Sequence, residues 1–233
     1  MKIFLTGDTH IPLDIEKLGS DNFVLGNTLT KKDYVIVLGD FGLLWRNSPN
    51  HVERNWTSWL DEKPWTTLFI DGNHDNHYRL GRLKKISMFG GSVGKVSDSI
   101  FHLRRAEIYD FDGKSIFTFG GALSIDKLWR TEGLDWWRQE LPNSIEMEAG
   151  LNILESHKNK VDYILTHTLP QSLVNVVADF QFHAGHPLHD PTCDYLQHIY
   201  GTVDFEKGFC GHFHQNRTVE KYTILYEDIL RLV

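Results

Sequence analysis

The chain has little cysteine: among 233 residues only Cys193 and Cys210 occur, and no CxxC pair is formed. Two thiols cannot build a disulfide framework, and such scarcity fits a reducing compartment. Long apolar runs are also missing. The N-terminal run covers residues 3–5, too short for a signal-peptide core, and none approaches the roughly 20 residues of a membrane span. Both absences point to a cytoplasmic protein with no membrane partner. Proline is sparse, with 7 scattered residues, and no linker, repeat or low-complexity tract interrupts the chain. A single domain over residues 1–233 is therefore expected. Basic residues are outnumbered, 24 Lys and Arg against 31 Asp and Glu, for a net charge of −7. That balance argues against a grip on long nucleic acid, since such a grip needs a basic face. An anionic substrate would need positive charge from some other source. What the chain does have is the 41% hydrophobic and 24% charged content of a globular protein, plus an excess of His, 13 in all.

Short apolar runs at residues 2–5, 34–38, 66–70, 115–119, 161–165 and 205–210 read as strands buried on both faces. Residues 100–104 and 107–110 read as an antiparallel pair around Arg105-Ala106, and Phe111-Asp112-Gly113-Lys114 reads as a turn. Helical spacing of apolar residues marks 50–62, with Ser48 or Asn50 as cap, and 145–158, with Ser144 as cap candidate. A third helix is expected over 192–200. Alternating β and α with a central β block predicts an α/β fold in which sheet packs on sheet and helices lie outside.

Five of the strands run into a polar turn. The turns are Thr6-Gly7-Asp8-Thr9-His10, Gly39-Asp40-Phe41-Gly42, Asp71-Gly72-Asn73-His74-Asp75, Thr166-His167 and Gly211-His212-Phe213-His214. Ligands of α/β sheets bind beyond the carboxyl ends of the strands. Glycine permits the tight turn, and the outer residues of Asp8-x-His10 and His212-x-His214 project to one side of an extended backbone. Each fragment is weak alone, but the ordered set of five is specific.

In that order and spread from residue 7 to residue 214, the set resembles the calcineurin-like metallophosphoesterase superfamily, with its Asp-x-His, Gly-Asp, Gly-Asn-His-Asp/Glu, His and Gly-His-x-His pattern. The resemblance implies a four-layer α/β/β/α sandwich of two mixed β-sheets flanked by helices. It implies two divalent metal ions. Asp8, His10, Asp40 and His214 would hold one, and Asp40, Asn73, His167 and His212 the other, with Asp40 bridging. His74 would be the catalytic acid or transition-state stabiliser, with Asp75 orienting it. Such a pair of ions can clamp a phosphoryl group and supply a bridging hydroxide to attack phosphorus. The mixed N and O donors suit Mn, Fe, Zn or Co better than Ca or Mg, and Mn is the ion expected. Two divalent ions outweigh the carboxylates of Asp8 and Asp40, so a chain of net charge −7 can still receive an anion.

The sequence departs from the protein Ser/Thr phosphatases of that superfamily. Phe41-Gly42-Leu43-Leu44-Trp45-Arg46 replaces their Val-Asp-Arg-Gly continuation, and the third motif ends in Asp75. Arg46, or Arg130 in the stretch after Gly120-Gly121-Ala122, is the candidate phosphate-binding residue, with Lys127 and Trp129 as neighbours. Trp136-Trp137 would wall the pocket. His183, His186 and His189 would lie in a loop near the site, within a lid over 179–190. With no capping domain and no basic stripe, the expected substrate is a small phosphate ester, and a phosphomonoesterase is favoured. A phosphodiesterase or nuclease stacking bases on Trp45 or Trp129 is the alternative; an inactive binding scaffold is the more distant one.

Overall fold

The computed structural model of the chain describes residues 1–177 and 190–233. In chain order it forms β1 (Ile3–Thr6), β2 (Tyr34–Leu38), α1 (His51–Asp61), β3 (Thr66–Ile70), α2 (His77–Leu80), β4 (Lys84–Met88), β5 (Gly91–Lys95) and β6 (Ile100–Leu103). There follow β7 (Glu107–Phe111), β8 (Lys114–Phe119), α3 (Ser144–Ser156), β9 (Tyr163–Thr166), α4 (Gln171–Val177), α5 (Pro191–Thr202), β10 (Lys207–Cys210), β11 (Arg217–Val219), β12 (Tyr222–Ile224) and β13 (Ile229–Arg231).

Side-chain alternation sorts the strands into layers. Ile36 and Leu38 of β2 face a core shared with Ile3 and Leu5 of β1, Tyr163 and Leu165 of β9 and Phe209 of β10. Val35 and Val37 face the other way, onto Leu60 of α1. Ile164 of β9 packs against Leu154 of α3, Leu173 of α4 and Leu196 of α5. Three apolar layers thus separate four structural ones, as a strand buried on both faces requires. The first sheet runs β13-β1-β2-β3-β6-β5-β4 and the second β11-β12-β10-β9-β8-β7. Both are mixed: β1, β2, β3 and β6 are parallel neighbours, as are β8, β9, β10 and β12, while antiparallel strands close the edges. The α/β/β/α sandwich expected from the sequence is present.

Two local expectations change. Residues 100–104 and 107–110 are not partners. β6 pairs with β3 and β5 in the first sheet, whereas β7 pairs with β8 in the second. The chain crosses between sheets at residues 104–106, where Ala106 takes φ 60° and Arg105 is anchored on Asp71 at 2.6 Å. The hairpin that does form is β7–β8, turning on Asp112 (φ 58°) and Gly113 (φ 86°). Likewise α3 is capped by Asn143, one residue before Ser144. Asn143 forms a reciprocal box with Glu146, at 3.0 and 2.9 Å, because the residue three beyond Ser144 is Met147, which has no carboxylate to return the bond. For α1 the cap is Asn50, which accepts from the Glu53 amide at 2.9 Å.

Candidate metal centre

The parallel strands of both sheets end at one edge, and their turns are folded tightly there. His10, Asp40, His212 and His214 have φ of 37°, 48°, 67° and 48°. A non-glycine residue in that region stores about 1–3 kcal/mol of strain. Full burial of one Leu or Phe returns about 1.5–3 kcal/mol, so the doubly buried strands preceding these turns suffice to hold them. Gly39 has φ 91°, and a Cβ there would run into the His167 ring; only glycine meets both demands.

These turns bring the expected residues together. Asp8, His10 and His214 form one group able to hold an ion, and Asp40, His167 and His212 another; His10, Asp40 and His74 form a third. Asp40 links the groups. Its Oδ2 lies 3.3 Å from His10 Nε2 and its Oδ1 3.2 Å from His167 Nε2. Asn73 Oδ1 also lies 3.2 Å from His167 Nε2. His214 Nε2 is 3.0 Å from Asp8 Oδ2, while the His212 amide donates to both Asp8 oxygens at 2.9 and 3.1 Å.

The donor chemistry fits cations. His167 Nδ1 donates to the Leu38 carbonyl at 2.7 Å, which turns Nε2 toward Asp40 and Asn73. His10 Nδ1 meets Asp14 Oδ2 at 2.8 Å in the same way, fixing its ring with Nε2 inward. Lone pairs from nitrogen, carboxylate and amide oxygen therefore converge on two points, which only protons or metal ions can relieve. The proton affinities of the imidazoles reflect that pull. Burial would depress His167, but Asp40 and Asp8 outweigh it and hold the imidazole up at about 10; His10 is raised to about 9 against its burial, chiefly by Asp40. Burial and the charge of His167 push His212 down to about 4. Divalent ions would take the place of those protons.

His74 sits at the same edge. Its amide donates to Asp40 Oδ1 at 2.7 Å, its ring lies over Trp45 at 5.9 Å and 20°, and burial, then the Arg130 and His10 charges, lower its pKa. Asp75 does not orient it. The Asp75 carboxylate is taken by three backbone amides, Gly72 and Gly42 at 2.9 Å each and Phe41 at 3.3 Å, and no hydrogen bond joins it to His74. Its role is to tie loops, and burial together with the Asp40 charge lifts it to about 6. Of the two candidate phosphate-binding residues, Arg130 reaches the site: its Nη2 lies 3.4 Å from His74 Nε2, and Asp126 grips it bidentately at 2.7 Å. Arg46 is exposed and, among the described residues, contributes only its carbonyl, to Arg79. A cleft of about 430 Å³ opens over Asp40, Asn73, His74, His212 and His214, with Leu123, Ile125 and Phe213 as its apolar wall. Trp129 is 89% exposed, whereas Trp137 is fully buried and packs on Trp45 at 5.0 Å. His183, His186 and His189 and most of the expected lid lie outside the described residues.

The sequence reading missed the supports: Asp14 behind His10, the Leu38 carbonyl behind His167, Tyr226 stacked on His214 at 4.5 Å, and Ser124 behind Asn73 at 3.3 Å. Only Asp14, four residues after His10, lay close enough in sequence to be noticed.

Comparison with curated proteins returned no match. The family model for calcineurin-like phosphoesterases matches residues 1–216, a span that holds all five polar turns and both sheets apart from β11, β12 and β13. With the two-sheet sandwich and the clustered carboxylates and imidazoles at its edge, this places the chain in the calcineurin-like phosphoesterase family, whose members are in general metal-dependent phosphoester hydrolases.

Proposed function

We propose that the chain is a dinuclear-metal phosphomonoesterase acting on small phosphate esters in the cytoplasm. The observation that carries this reading is the division of Asp40, one oxygen toward His10 and the other toward His167. That geometry suits a carboxylate shared by two ions. Asp8, His10, Asp40 and His214 would hold one ion, and Asp40, Asn73, His167 and His212 the second. When bound, two such ions supply Lewis-acid activation of water and of a phosphoryl oxygen. The N and O donor set fits Mn, Fe, Zn or Co better than Ca or Mg, and Mn is the ion proposed.

The chain's own residues supply the rest. The ring of His74 stands at the cleft beside the ligand groups, positioned to hydrogen-bond a phosphoryl or leaving-group oxygen. The Arg130 guanidinium is held by Asp126, the Asp135 carbonyl and His74, and its remaining N–H, on Nη1, is the proposed donor to a terminal phosphate, the feature that distinguishes a monoester from a diester. The cleft of about 430 Å³ accommodates a small ester. Cys193 and Cys210, both buried and unpaired, support a reducing compartment, and among the described residues no helix is long and apolar enough to cross a membrane.

A phosphodiesterase is the second reading. Trp129, almost fully exposed next to Arg130, supports it as a platform for a base. Turnover of p-nitrophenyl phosphate against bis-p-nitrophenyl phosphate, each with Mn, Fe, Zn and Co, separates the two. Faster hydrolysis of the monoester is expected. Preference for the diester reverses the assignment, and no turnover with any metal leaves an inactive scaffold.

A further inference from the structure

Asn73 has two chemically different ends, and only its oxygen can face a metal ion. Its side-chain amide donates to Ser124 Oγ at 3.3 Å, leaving Oδ1 on the His167 side. Ser124 Oγ donates in turn to Glu140 Oε2 at 2.6 Å, and the Ser124 amide donates to Glu140 Oε1 at 2.9 Å. Glu140 comes from the short turn Arg138–Glu140, far in sequence from every metal motif, yet it is 0% exposed, Ser124 2% and Asn73 6%. A buried carboxylate is retained at a cost of several kcal/mol unless its partners are well placed. Here both oxygens are engaged by one serine.

The chain of bonds has a direction. An ionised carboxylate can only accept, so the Ser124 proton points to Glu140. The Ser124 oxygen is then an acceptor toward Asn73, which must present its NH2. The Asn73 oxygen is left facing His167. Arg105 fixes the frame, since its guanidinium binds the Glu140 carbonyl at 2.9 Å and the Asp71 carboxylate at 2.6 Å, just before Gly72-Asn73.

We propose that Glu140 is a positioning residue: acting through Ser124, it sets the orientation of the Asn73 amide and thereby presents oxygen, not nitrogen, to the ion on the His167 side. The inference rests on the reading of Asn73 as a ligand of that ion. Loss of such a supporting hydrogen bond typically weakens metal binding by about 10–100-fold.

The test is a calorimetric Mn titration of the full chain, with circular dichroism to check folding. Wild type is expected to take up two ions. Glu140→Gln can offer its own NH2 to Ser124, freeing the serine proton to face Asn73 and favouring the flipped amide. It is expected to bind one ion normally and the second about 10–100-fold more weakly. Ser124→Ala, which removes the relay without introducing a new donor, is expected to act in the same direction, and it serves if Glu140→Gln does not fold. The decisive comparison adds Asn73→Asp, because a carboxylate has no wrong way round. In that background Glu140→Gln lets Ser124 donate to the introduced carboxylate and should cause no loss. Wild-type affinity in both Glu140→Gln and Ser124→Ala overturns the proposal, as does an equal loss from Glu140→Gln in the Asn73→Asp background, which would mark Glu140 as merely structural. A wild-type chain that takes up fewer than two ions defeats the two-metal reading itself, a different result from two ions with an inert Glu140.

Discussion

The backbone amide of Gly42 donates to the Asp75 carboxylate at 2.9 Å, tying the loop after β2 to the loop after β3. Because Asp40 lies in the first loop and Asn73 in the second, this carboxylate sets the spacing of two proposed metal ligands without touching an ion. Asp75→Ala leaves three buried amides without acceptors, each of them costing about 1–3 kcal/mol. We expect a loss of about 3 kcal/mol or more in chemical denaturation and weaker Mn uptake. An unchanged denaturation midpoint with reduced turnover alone would instead return Asp75 to the support of His74.

If Asp40 bridges, Asp40→Ala loses both ions, whereas removing an imidazole on one side, as in His214→Ala, weakens one ion most. Metal analysis of purified protein reads this directly, and one full equivalent retained in Asp40→Ala would refute bridging. Stability gives a second readout. A ligand at 100 times its Kd stabilises the folded state by about 2.7 kcal/mol, so Mn should raise the melting temperature of the wild type and chelator should reverse the rise. Asp40→Ala should show neither effect.

The five polar turns were legible because each is a contiguous run following an apolar strand, and β2 and β3 match their expected bounds. What was not legible depends on distant partners. Residues 100–110 look like a hairpin locally, and only the anchoring of Arg105 on Asp71, 34 residues away, together with the pairing of β6 beside β3, sends the two halves to different sheets. The β4–β5 hairpin was missed because β4, Lys-Lys-Ile-Ser-Met, is an edge strand with exposed lysines and no apolar run. Asp75 carried the signature of a histidine partner, but its neighbours in space are amides. Glu140 and Ser124 carry no local motif at all.

Asp33 makes stability sensitive to acid away from the metal centre. Its carboxylate accepts from the Lys2 amide at 2.7 Å and from the Thr30 amide and hydroxyl at 2.9 and 3.0 Å. Burial would raise its pKa, but these bonds outweigh it and hold the group below its ordinary value. A carboxylate whose folded pKa is depressed contributes stability that is complete above the unfolded value of about 3.9. That contribution is lost as pH falls through the lower folded value. Asp33→Asn should therefore be less stable than wild type by about 1–3 kcal/mol at pH 7, and the gap should close below about pH 4. A gap independent of pH would assign the loss to packing.

His74 and Arg130 make separable predictions because His74 lines the cleft beside the ligand groups, whereas Arg130 meets the site through His74. His74→Asn should keep both ions and lower kcat by about 10²–10⁴-fold; equal loss of metal would make His74 a ligand. Arg130 can only donate, so at 3.4 Å its Nη2 requires His74 Nε2 to be an unprotonated acceptor, in keeping with the lowered pKa of His74. That lowering is due first to burial and next, where it acts against His74, to the Arg130 charge. Arg130→Ala removes this contribution and a phosphate donor together. It should cost about 10–100-fold in kcat/KM, in line with one hydrogen bond to a charged group. It should also move the His74 titration upward, read by NMR of the ring. A fall in kcat/KM with no movement of His74 would confine Arg130 to substrate binding, and movement without the fall would place the phosphate elsewhere in the cleft.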